Sequence, residues 1–69
     1  MAESRAEFTV RGVDDSHERE DIKDTLHHLD GVMEAALDDD GEASVRYDED
    51  IIGGEQVEHR VRKMGYETE

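Results

Sequence analysis

Apolar and polar positions alternate along three stretches of the chain and recur at helical spacing along two others. Phe8 and Val10 alternate with Thr9 and Arg11, the period-two pattern of a half-buried strand. The spacing predicts a first strand from about Arg5 to Gly12, after a flexible leader of residues 1–4. Ile22, Leu26 and Leu29 recur at helical spacing, which predicts a helix from Ser16 to Leu29 that ends at Asp30-Gly31. Met33, Ala35 and Leu37 alternate with Glu34 and Ala36, and Ala43, Val45 and Tyr47 alternate with Ser44 and Arg46. Between these two strands lies Asp38-Asp39-Asp40-Gly41, and Asp-Gly is a strong hairpin signal. A loop over Asp48 to Gly54 leads into a second helix with Val57, Val61 and Met64 on one face. Gly65 closes that helix, and Tyr66 to Glu69 has room only for a short last strand.

The order βαββαβ predicts an α+β, ferredoxin-like sandwich: a four-stranded antiparallel sheet with both helices on one face. Its expected core is Phe8, Val10, Ile22, Leu26, Leu29, Val45, Val57 and Val61. A chain of 69 residues makes one domain, residues 1–69, near the size where burial only just outweighs chain entropy.

Charge changes the picture most. There are 21 acidic residues against 8 basic ones, a net charge of −13. Such a surface repels nucleic acid and anionic membranes, so neither is an expected partner. The regular apolar spacing argues against disorder. Concentrated salt shortens the Debye length to ~3 Å at 1 M and screens the self-repulsion, so the acidity resembles that of a halophile's protein. No apolar run reaches the length of a membrane span and no signal-peptide hydrophobic region opens the chain, so a cytoplasmic monomer is expected. There is no cysteine, hence no disulfide, thiolate ligand or thiol nucleophile. No Ser/His/Asp order, phosphate-cradling glycine loop or paired-carboxylate cleft stands out, and an enzyme is not expected.

The candidate chemistry sits where the first strand runs into the first helix, Gly12-Val13-Asp14-Asp15-Ser16-His17-Glu18. Asp15, His17 and Glu18 offer oxygen and imidazole ligands within one helical turn, a set suited to Zn(II), Ni(II) or Cu(II). The same residues also read as a helix start, with Asp15 as N-cap and Glu18 three residues on as its capping-box partner. Capping is the favoured reading. Elsewhere, His27 and His28 point about 100° apart on a helix and do not chelate one ion easily. His59 is expected to face solvent, and Asp38 to Asp40 with Glu42 lack calcium-loop spacing.

Phe8-x-Val10-x-Gly12, Ile22, Leu26, Leu29, Gly31-Val32, Ala35, Val45-x-Tyr47-Asp48, Val57, Val61 and Gly65-Tyr66 together resemble the heavy-metal-associated domain family of copper chaperones and metal-pumping ATPases. That family carries Gly-Met-x-Cys-x-x-Cys at this junction and binds soft ions through two thiolates. The resemblance puts Asp15 and Glu18 where the cysteines would stand, Val13 where the methionine would be, and Tyr66 beside the metal loop. Carboxylates are hard ligands and hold Cu(I) poorly. The resemblance therefore implies a module that has lost thiolate ligation and serves protein docking or regulation, with Val13, Asp14 and Tyr66 near the docking face. Its partner would be a metal-transport or regulatory protein. The alternative is weak binding of a divalent transition metal by Asp15, His17 and Glu18.

Overall fold

The computed structural model describes residues 2–69. Six elements follow in the expected order: β1 (Glu3–Arg11), α1 (Ser16–His27), β2 (Val32–Leu37), β3 (Glu42–Asp48), α2 (Gly54–Lys63) and β4 (Glu67–Thr68). The sheet is antiparallel throughout, in the order β2-β3-β1-β4. Phe8, Val10, Ala35, Leu37, Ala43 and Val45 from the strands form one cluster with Ile22 and Leu26 of α1 and Val57 and Val61 of α2. Both helices therefore cover the same face of the sheet. Ile22, Leu26, Val45, Val57 and Val61 are the largest fully buried side chains. Each such burial contributes about 1.5–3 kcal/mol relative to exposure.

The structure departs from the sequence reading in three places. Residues 3 and 4 are not part of a flexible leader: Glu3 and Ser4 pair with Asp48 and Tyr47, because β3 is long enough to template the strand that far. Met1 lies outside the described residues. Leu29 falls beyond the end of α1 and is only half-buried, packed at the margin of the core. Met33 has the same parity as the buried Ala35 and Leu37, yet it is 38% exposed. Tyr47 and Arg46 of β3 face Val32 and Glu34 of β2, which makes Met33 the extra residue of a bulge. An inserted residue breaks the alternation of faces.

The β2–β3 hairpin brings an acidic tip close to the first loop. Asp38 N–H donates to the Glu42 carbonyl and Gly41 N–H to the Asp38 carbonyl, both at 3.1 Å. This is a three-residue loop that closes on a glycine with φ +85°, rather than a two-residue turn. A Cβ on Gly41 would come within 2.5 Å of the Val10 carbonyl oxygen. Only glycine fits there.

Candidate functional site

The loop between β1 and α1 is built by backbone turning first and side-chain capping second. Gly12 has φ +93°, a conformation that costs a glycine little, and it turns the chain out of β1. Val13 then packs, half-buried, against the core and anchors the loop. Asp15 is extended at φ −150°, ψ 173°, and its Oδ1 accepts the Glu18 N–H at 2.9 Å. This is the N-cap bond read from the sequence, and it satisfies one of the helix's orphan donors.

Glu18 does not close the expected capping box, because its side chain passes over the N–H of the cap residue Asp15. Its Oε1 accepts the N–H of Asp14 at 2.8 Å, one residue before the cap itself. Its Oε2 accepts the hydroxyl of Tyr66 at 3.1 Å, 48 residues further along the chain. The Tyr66 ring lies beside Gly12, where a Cβ would sit 3.9 Å from Cδ1. Burial pushes the Tyr66 phenol above its ordinary pKa of 10.0; the hydrogen bond to Glu18 and the charges of Glu18, Asp21 and Asp15 add to the shift. One carboxylate thus ties the loop, the first turn of α1 and the segment before β4 together.

His17 takes no part in that knot. Its side chain is 85% exposed, and its Nε2 lies 3.8 Å from Asp21 Oδ2, one turn along the helix. Asp15, His17 and Glu18 each engage a different partner rather than converging on one point. Among the described residues, no group of three or more His, Cys, Asp or Glu side chains is placed to hold a metal ion. The donor set also lacks the thiolates that a soft ion needs. Asp14 is exposed and contributes its backbone N–H to the knot.

The remaining candidates are engaged locally. His28 Nδ1 donates to the Asp24 carbonyl at 2.7 Å, an acceptor that also takes the His28 backbone N–H at 3.2 Å. Asp38 Oδ1 accepts the N–H groups of Asp40 and Glu42, and Asp39 pairs with Arg19 at 3.2 Å. Arg19 carries no recognisable signal in the sequence, yet it ties the first turns of α1 to the hairpin tip. Nothing local signals that role, because it depends on how the hairpin folds over the helix.

The heavy-metal-associated domain model matches residues 7–67. The chain belongs to that family. Solved structures share the fold of this heavy-metal-associated domain over almost its whole length. A CopZ metallochaperone is 25% identical over 96% of this chain and 100% of its own, with a TM-score of 0.89. A putative copper-ion-binding protein from Bacillus anthracis is 19% identical over 99% of this chain and 97% of its own, with a TM-score of 0.91. Oxidized MerP from Ralstonia metallidurans is 17% identical over 99% of this chain and 96% of its own, with a TM-score of 0.89. No protein of curated function matches this heavy-metal-associated domain by sequence. Among the described residues, no helix is long and apolar enough to cross a membrane.

Proposed function

We propose that this heavy-metal-associated domain is a protein-docking or regulatory module that has given up soft-metal transfer. In this reading Asp15 and Glu18 stand at the positions of the family's two thiolates. The observation that carries it is the double engagement of Glu18, whose two oxygens hold the Asp14 N–H and the Tyr66 hydroxyl. A ligand position has become a structural one. Both oxygens of this carboxylate are turned toward the loop backbone and Tyr66, and as hard donors they suit a soft ion poorly. The absence of cysteine supports the same reading. The module works by binding rather than catalysis, as a cytoplasmic monomer in a salt-rich cell. Its partner is a metal-handling protein, a class supported by the likeness to a metallochaperone. Val13, Asp14 and Tyr66 border the loop that such a partner would meet.

A titration of the native protein with Cu(I), Zn(II), Ni(II) and Cu(II) in molar KCl, followed by two-dimensional NMR, tests the reading. We expect no tight Cu(I) complex. Retention of Cu(I) against a competing chelator would overturn the docking reading. Saturable shifts confined to Asp15, His17 and Glu18 with a divalent ion would favour metal binding instead.

A further inference from the structure

We infer that the groove between the C-terminal end of α1 and the outer flank of α2 is a docking site for an acidic protein segment that carries an apolar anchor. The inference deepens the docking reading and rests on it, but it places the contact on a different surface from the loop. The α1 helix begins at the loop and runs 12 residues away from it, about 18 Å at 1.5 Å per residue. Leu29, just past that far end, and Ile52, just before α2, form a half-buried apolar floor. Glu55, Gln56, His59, Arg60, Arg62 and Lys63 line the exposed side, and the open groove holds about 510 Å³. Next to Ile52 in the chain but outside the groove lining, Ile51 is 59% exposed, more than the other exposed large hydrophobic residue, Met33.

Charge identifies the occupant. The chain has only 8 basic residues against 21 acidic ones, and three of the eight, Arg60, Arg62 and Lys63, fall within four positions of α2. Elsewhere the cations are mostly matched. Arg11 pairs with Glu69 at 2.8 Å, Arg19 with Asp39 at 3.2 Å and Lys23 with Glu20 at 3.0 Å. Arg46 Nε lies 3.0 Å from Glu3 Oε1, close enough for an ion pair but not aligned as a hydrogen bond. Among the described residues, Arg60, Arg62 and Lys63 lie within ion-pair distance of no carboxylate, despite the surplus of acids. Cations in the last turn of a helix complement its dipole, which accounts for their charge. It does not account for the open apolar floor beside them. A half-buried apolar floor whose rim carries three cations against one carboxylate, Glu55, fits a partner of opposite charge with a side chain to bury.

NMR mapping with synthetic peptides tests this. One peptide alternates glutamate with leucine; a second, of equal charge, alternates glutamate with serine. At the lowest KCl concentration at which circular dichroism shows the domain folded, so that charges are screened as little as possible, the glutamate–leucine peptide should shift the amides of residues 55–63 with those of Leu29 and Ile52. The serine peptide should bind about tenfold more weakly or worse, through loss of the anchor. Arg60→Glu with Lys63→Glu should weaken the leucine peptide about tenfold, whereas Arg5→Glu, on the opposite face of the sheet, should leave binding unchanged. Equal binding of both peptides, shifts elsewhere on the surface, or indifference to the double charge reversal would overturn the proposal. So would shifts of the groove that grow with protein concentration alone, because the occupant would then be a second copy of this chain. Failure of the groove leaves docking through the loop intact. Retention of Cu(I) by the native protein would overturn the docking reading whatever the peptides do.

Discussion

The hydroxyl of Tyr66 donates to Oε2 of Glu18 at 3.1 Å, and the other oxygen of the same carboxylate holds the Asp14 N–H. The C-terminal segment thereby fastens the loop at which the chain's candidate chemistry lies. Because the contact joins residues 48 positions apart, it acts as a cross-tie between the two ends of the fold.

Tyr66→Phe removes this tie and leaves the ring in place. The bond is partly exposed, so the expected loss is about 0.5–1 kcal/mol, measured by urea denaturation in molar KCl. The native protein should also lose stability at alkaline pH. The phenol's pKa is raised in the fold above 10.0 by burial, the Glu18 hydrogen bond and neighbouring carboxylates. The unfolded chain therefore releases this proton first. The contribution is intact below about pH 10 and fades as pH rises through the folded pKa. In Tyr66→Phe that component of the alkaline loss should vanish. An ultraviolet titration that places Tyr66 below the ordinary tyrosine value would contradict the raised pKa.

Asp15 should behave as a cap. Asparagine keeps an oxygen for the Glu18 N–H, so Asp15→Asn should change stability by only a few tenths of a kcal/mol, while Asp15→Ala should cost about 1 kcal/mol. Thermal unfolding of the two variants measures the difference. Equal losses from both would mean that the negative charge, rather than the hydrogen bond, is what matters at this helix end.

Thiols restored at the loop should restore soft-metal binding. The N-terminus of α1 stabilises a thiolate, so Asp15→Cys with Glu18→Cys should hold Cu(I) in a chelator competition that the native protein loses. The same variant also gives up the contacts of Glu18, so its stability without metal should fall below that of the native chain. A folded double variant that fails to bind Cu(I) would place the family's ligand positions elsewhere in this sequence.

Gly41→Ala should damage the hairpin. The backbone there has φ +85°, and the added Cβ would press on the Val10 carbonyl oxygen at 2.5 Å. Left-handed backbone at a non-glycine residue costs on the order of 1–3 kcal/mol before any clash is counted. A loss below about 0.5 kcal/mol by denaturation would show that the turn can relax in a way its present geometry does not indicate.

Salt should govern whether the domain is folded at all. With a net charge of −13 on 69 residues, self-repulsion opposes compaction in dilute buffer and fades as salt screens it. Far-UV circular dichroism should show helix and sheet gained between millimolar and molar KCl. A spectrum unchanged over that range would remove the case for adaptation to high salt.

The chain's order of elements, the faces they bury and the cap at Asp15 were legible in the sequence because each is written in short-range spacing. Phe8 and Val10, Ile22 and Leu26, Val45, and Val57 and Val61 are buried as their periods require, since a side chain's direction follows from its position along a strand or helix. What depended on pairing between distant segments was not legible. The slip that turns Met33 outward is a property of the β2–β3 register, not of the alternation within β2. The pairing of Glu3 and Ser4 with β3 is decided by the partner strand's length. Glu18 shows the division most clearly. The sequence places it at the third position of a helix and stops there. Only the folded chain brings Tyr66 to its second oxygen, because a hydrogen bond across 48 residues exists only where tertiary packing has already fixed both ends.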